Sequence, residues 1–224
     1  MERKSPFSLE NEWTFKPTIL LEDTVPGYAP LRSGIEAEGL SAIGKIGCIG
    51  SVQIQRLFGW KRHQIRRMLD EKKLVQHLLL KNKNTIPVYT VGLRSVQLFD
   101  LALPINFWRN WNTEQIVASL VFFQFCCALR DKQKAFQISS APFPFTGRVE
   151  IDKHVRDVLI LRGQKHSLDN VLHHLSNPVI VIAEKIEEVL PLNPYLKDAR
   201  LLLDKQLNEE YKFYHQMNGK WQLK

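Results

Sequence analysis

An uncharged apolar run over residues 116–129 (IVASLVFFQFCCAL) constrains this chain more than any other feature. Its fourteen residues fall short of the roughly twenty needed to cross a bilayer, so no membrane span is expected. Apolar on nearly all sides, it is predicted to be a helix at the centre of a core. Asn112 or Thr113 can cap it, and Glu114 in its first turn suits the helix dipole. Cys126 and Cys127 within the run read as small buried hydrophobes. With Cys48 they make three cysteines and no even disulfide framework. Residues 1–6 lead into no apolar signal core. A reduced, cytoplasmic protein is therefore expected.

With 224 residues, 44% of them apolar and 24% charged, the chain can bury one large core or two small ones, and disorder is excluded over most of its length. The expected division is an N-terminal arm over 1–32, a first domain over 33–96, a connector over 97–112 and a second domain over 113–224.

In the arm, Pro6, Pro17, Pro26, Gly27 and Pro30 recur, and only 13–21 reads as a strand. From Ser33 the pattern turns helical: Ile35, Leu40, Ile43 and Ile46 fall on one face, although Gly39 and Gly44 weaken it. Ser51 is a candidate N-cap for a short helix over 52–57, with Val52 and Leu57 inward. A turn at Phe58, Gly59 and Trp60 precedes a third helix over 61–73. Trp60, Ile65, Met68 and Leu69 form its apolar stripe. Arg62, His63, Arg66 and Lys73 fall largely opposite, with Arg67 near the edge. Two β-prone runs, 75–80 and 86–91, flank a polar tip and predict a hairpin. Three helices followed by a two-stranded ribbon is the order of a winged helix-turn-helix.

The segment 99–111 carries Phe107, Trp108 and Trp111 and reads as a connector whose rings pack on one or both domains. Beyond the apolar helix, strands are predicted over 135–139, 155–161, 178–183 and 199–203. Helices are predicted over 168–175 and 184–190, and an aromatic tail is expected to end in a strand or hairpin. This alternation predicts a small, partly parallel sheet. The expected fold is thus α+β with an α/β second domain.

The net charge is +8, and its distribution carries the functional reading. Between residues 56 and 83 stand Arg56, Lys61, Arg62, Arg66, Arg67, Lys72, Lys73, Lys81 and Lys83 against only Asp70 and Glu71. A field so localised attracts phosphate backbones, anionic lipid or an acidic partner. A solvated face with no ligand would carry the same charge. Its coincidence with the third helix points to duplex DNA, because that helix of a winged helix enters the major groove. Lys61, Arg62, His63, Arg66 and Arg67 would then face bases and phosphates, and Gln64 would read adenine. Lys81 and Lys83 at the wing tip and Arg56 on the second helix would touch backbone. Five to seven phosphate contacts would make affinity fall by orders of magnitude as salt rises.

No metal or cofactor site is expected. His166, Asp169, His173 and His174 lie close in sequence, but nothing supplies a fixed third ligand. Gly44-Lys45 lacks the strand and upstream glycine of a phosphate loop. No Ser/His/Asp arrangement is visible, and no basic neighbour lowers the Cys126–Cys127 thiols. A divalent-metal nuclease would need an acid on one strand and an acid plus lysine on the next. Asp157 and Glu184-Lys185 come near this order, but adjacent strand residues point to opposite faces, so Glu184 and Lys185 cannot both reach one metal.

From about Ser41 onward the chain resembles the plasmid replication-relaxation family of bacterial plasmids and mobile elements. Residues 52–59 (VQIQRLFG) are similar to that family's second helix. Residues 60–75 resemble its arginine-rich recognition helix, and 88–92 (VYTVG) its second wing strand. Residues 156–161 and 179–184 resemble successive strands of its nuclease-like α/β part. The further acidic strand that family members commonly carry between those two is absent. The resemblance implies a reduced, inactive restriction-endonuclease-like domain joined to a winged helix. It also implies a DNA-binding protein acting in replication, transfer or transcriptional control. A homodimer, or a protein partner held by the second domain, is expected. A nuclease using Asp157 and Glu184, and a winged helix that docks protein instead of DNA, are the alternatives.

Overall fold

The computed structural model describes residues 5–21, 27, 29–82, 84–162, 177–196, 198–209, 211–217 and 220–223. The chain is mixed α+β with two separate sheets and divides into two compact units. One is Glu12–Leu120; the other joins Met1–Asn11 to Val121–Lys224. The expected boundaries at 32, 96 and 112 are not those of the folded chain. The arm is shared between the units, and the expected connector lies wholly in the first. Strand pairing and hydrogen bonding, described below, are the reason.

The first unit contains β1 (Trp13–Lys16), α1 (Gly34–Ile46), β2 (Ile49–Gly50), α2 (Ser51–Phe58), α3 (Arg62–Asp70), β3 (Leu74–Lys81), β4 (Asn84–Val91) and α4 (Leu93–Leu98). Its sheet runs β1-β3-β4-β2, antiparallel throughout. The arm residues thus supply an edge strand, Trp13 opposite Lys81.

In α1 the Ser33 hydroxyl accepts the Glu36 N–H at 3.1 Å, and Leu40, Ile43 and Ile46 are buried. Ile35 is 55% exposed, contrary to its expected inward place; Glu36 is turned inward instead. Gly39 and Gly44, which weaken helix propensity, are points of close approach. A Cβ at Gly39 would lie 2.5 Å from the Trp60 ring, and one at Gly44 2.6 Å from Leu101. In α2, Val52 is 66% exposed and not inward; Gln53, Ile54, Leu57 and Phe58 take the buried positions. Gln53 is satisfied there, since its Oε1 accepts the Gly50 N–H at 3.0 Å and its Nε2 donates to Leu120 O at 2.6 Å.

The third helix ends at Asp70, short of the expected Lys73. Trp60, Ile65 and Met68 are buried as expected. Lys73 does not join the exposed basic face: it is 0% exposed. Its Nζ donates to Pro30 O at 2.7 Å and pairs with Glu36 at 2.6 Å and Glu71 at 2.7 Å. An ammonium removed from water needs such a complete set of partners.

The hairpin's other face explains why residues 97–112 belong to this unit. His77, on β3, accepts the Thr18 N–H at Nδ1 (3.0 Å) and lies 2.9 Å from the Thr90 hydroxyl through Nε2. A ring nitrogen that accepts carries no proton, so the proton is on Nε2. Trp108, buried, donates from its indole to Thr18 O at 2.8 Å and packs on His77 and Phe107. Asn106 exchanges two hydrogen bonds with the Leu20 backbone.

The apolar run forms the predicted helix, α5 (Thr113–Asp131), buried from Ile116 to Leu129. The division between units falls within it. The second unit has a seven-stranded sheet of β5 (Phe136–Ser139), β6 (Gly147–Ile151), β7 (His154–Ile160), β8 (Val179–Ala183), β9 (Arg200–Leu203), β10 (Tyr214–Met217) and β11 (Lys220–Leu223). Its order is β11-β10-β9-β8-β7-β6-β5, parallel only at β7–β8 and β8–β9. One face buries Leu159, Leu161, Val179, Val181 and Leu201 against Val189, Leu192 and Leu196. Residues 184–190 do not form the expected helix. Two 3-10 turns, Ile186–Glu188 and Leu190–Tyr195, replace it, and Pro191 and Pro194 lack the N–H a helix needs. The helix expected over 168–175 lies outside the described residues. The N-terminal segment joins this unit through Ser5, whose hydroxyl donates to Asp204 at 2.6 Å beside the buried Arg162–Asp204 pair. No described helix is long and apolar enough to cross a membrane.

Candidate functional site

The basic helix borders a cleft of about 750 Å³ in the first unit. Lys61, Arg62, Ile65, Arg66 and Leu69 line it from α3, and Ser51, Val52 and Gln55 from the start of α2. Gln76, Pro87 and Tyr89 line it from the hairpin. Strand register explains the hairpin's part: Gln76 pairs with Tyr89 and Leu78 with Pro87, so these share the face opposite His77.

Helical spacing sorts the basic residues. Lys61, Arg62 and Arg66 are exposed and line the cleft. None of the three has an acidic partner among the described residues. Tyr89 feels the Arg62 charge: burial pushes its hydroxyl pKa up, and Arg62 opposes that rise. His63 is exposed on α3 but does not line the cleft.

The other expected contacts are placed differently. Gln64 is half-buried and its Oε1 accepts the Lys61 N–H at 2.7 Å, so it caps α3 where base reading was expected. Arg67 is bound to Glu36 at 2.6 Å and lies 3.7 Å from Glu71. It ties α3 to α1 and is not offered to a ligand. Arg56 is half-buried in the last turn of α2, away from the cleft lining. Lys81 is half-buried with its Nζ 5.2 Å from the Trp13 ring centroid, a cation–π contact. Lys83 lies outside the described residues, as do His166, Asp169, His173 and His174.

Ser51, Val52, Gln55, Gln76, Pro87 and Tyr89 were not among the expected site residues. Period-two alternation in the hairpin could have found the last three. The three from α2 needed the true helix start, which Gly50 and not Ser51 caps.

The acids tested for metal chemistry are separated. Asp157 pairs in register with Val179, and Glu184 follows five residues later, after the end of β8. At about 3.3 Å per residue that is about 16 Å along the strands, too far to share one ion. The Asp157 carboxylate is also occupied: Arg148 Nε donates at 2.6 Å and Asn177 Nδ2 at 3.0 Å. No cluster of three metal-ligating side chains occurs among the described residues.

Neither a family model, nor a curated protein, nor a solved structure matches this chain.

Proposed function

We propose that the first unit is a winged helix-turn-helix that binds double-stranded DNA through α3. The observation that carries this reading is the set Lys61, Arg62 and Arg66, three exposed cations along one side of a short helix with no acidic partner among the described residues. The element order supports it. Strand β2 between α1 and α2 pairs with β4 and completes a small sheet with the β3–β4 hairpin. Such an arrangement holds the third helix at the surface, where its side chains reach a major groove. The other basic residues of the segment serve the fold: Lys73 and Arg67 are held by carboxylates.

The second unit is read as a nuclease-like scaffold without a catalytic set. Its sequential meander β5–β6–β7 followed by parallel β8 and β9 supports the scaffold. The engaged Asp157 and its distance from Glu184 argue against hydrolysis. Service in replication, transfer or transcriptional control of a plasmid or other mobile element follows from the family resemblance alone.

Selection from a randomised duplex pool at several salt concentrations tests the binding. Three phosphate contacts give a log–log salt slope of about −2.7, and Arg62→Ala with Arg66→Ala removes about two-thirds of it. Absence of duplex binding at low salt, or a double variant that binds like wild type, overturns the proposal. The apolar part of the cleft, with Val52 exposed beside Ile65, Leu69 and Pro87, favours protein docking as the second reading. A pull-down that survives nuclease treatment and needs the α3 face would favour it.

A further inference from the structure

A second basic cluster, far from α3 in sequence, lies at one end of the seven-stranded sheet. Register places it. Asp157 pairs with Val179, which sets Arg156 opposite Pro178; Ile180 pairs with Arg200, and Arg200 with His215. Alternation therefore puts Arg156, Arg200 and His215 on one face of the sheet, at the start of the parallel strands. These side chains, with Asp198 and Gln216, line a pocket of about 400 Å³.

The charge arrangement there is incomplete. Neither Arg156 nor Arg200 has a carboxylate partner among the described residues, and Asp198 bonds to neither. Arg200 lies 5.4 Å from the Phe213 ring centroid, a contact that leaves its donor edges open. Burial and the like charge of Arg200 together hold the Arg156 guanidinium below the ordinary arginine value. Two half-buried cations set together without an anion repel each other and lose hydration. Compare Arg148, which is paired with Asp157, and Arg162, which is paired with Asp204.

We propose that this pocket binds a phosphoryl group, held jointly by the guanidinium forks of Arg156 and Arg200. A carboxylate, with two oxygens, is filled by one fork; a phosphate has enough acceptor oxygens for two forks on separate strands. The pocket is much larger than a bare oxyanion, so the group arrives as an ester. It comes from a free phosphomonoester or from a nucleic-acid backbone. The site stands on residues of the second unit alone and does not depend on α3 binding DNA.

The test uses the full chain in phosphate or chloride buffers of equal ionic strength. Inorganic phosphate should raise the melting temperature saturably and shift the Nε–H NMR signals of Arg156 and Arg200. Arg156→Gln and Arg200→Gln should each weaken phosphate binding about tenfold. Arg156→Gln should also raise the melting temperature in chloride, because it relieves the repulsion, while removing the phosphate-dependent gain. If either variant folds poorly, Arg156→Lys, which keeps the charge and loses the fork, should still weaken binding. Saturable binding of deoxyadenosine monophosphate assigns the site to a free ester. A duplex salt slope reduced by about one in Arg200→Gln assigns it to backbone. No saturable phosphate response, or variants that respond like wild type, overturns the proposal.

Discussion

Acidification should destabilise the first unit through one side chain. Burial holds His77 down to a pKa of about 4, against 6.5 for an ordinary histidine. Its Nδ1 is occupied as an acceptor from Thr18 N–H, so protonation there would break a bond as well as bury a charge. The unfolded chain takes up its proton near 6.5; the folded chain refuses it until about 4. The neutral ring's contribution is therefore complete above 6.5, declines as pH falls through that window and is lost near 4. A gap of about two and a half units at 1.36 kcal/mol each amounts to about 3 kcal/mol. Urea denaturation at stepped pH measures it, read by tryptophan fluorescence. Trp13, Trp60, Trp108 and Trp111 all lie in this unit, and Trp108 is 4.9 Å from the His77 ring. His77→Gln is the control: its amide can accept from Thr18 and donate to Thr90 without titrating. The wild-type slope should exceed that of the variant across the window. Equal slopes, or a His77 imidazole signal that titrates near its ordinary value, would refute the reasoning.

Other outcomes follow from the same geometry. Glu36→Ala leaves the buried Lys73 ammonium with Glu71 and Pro30 O alone, also releases Arg67, and should cost about 1–3 kcal/mol in chemical denaturation; Glu36→Ala combined with Glu71→Ala strands the ammonium and should cost about 3–5 kcal/mol. Arg66→Ala should leave stability within about 0.5 kcal/mol and lower duplex affinity, while Arg67→Ala should chiefly lower the denaturation midpoint. Gly39→Ala drives a methyl into Trp60 and should destabilise by about 1–3 kcal/mol, seen as a lower melting temperature.

Much of the local structure was legible in the sequence because it depends on near neighbours. The helical pattern from Ser33, the apolar stripe of Ile65 and Met68, the β3–β4 hairpin and the buried run from Ile116 to Leu129 each follow from periodicity within a few residues. So did the exposure of Arg62, His63 and Arg66. What misled was the treatment of every basic residue as surface. Lys73 and Arg67 are held by Glu36, more than thirty residues away, and no local pattern announces such a partner.

Sequence alone thus determined the three helices and hairpin of the first unit, the buried apolar helix after them and the place where positive charge concentrates, since these arise from composition and from spacing of 2 or 3.6 residues. Tertiary structure decided which charges remain available. An ion pair forms or fails according to which distant side chain folding brings within reach, and that proximity has no period to read. The same holds for the segments 12–21 and 97–112. They looked like an arm and a connector, yet Thr18, His77 and Trp108 join them across the hairpin. In the second unit, only the register of β7, β8, β9 and β10 brings Arg156 and Arg200 to one pocket, while Asp157, one residue away on the opposite face, is matched by Arg148.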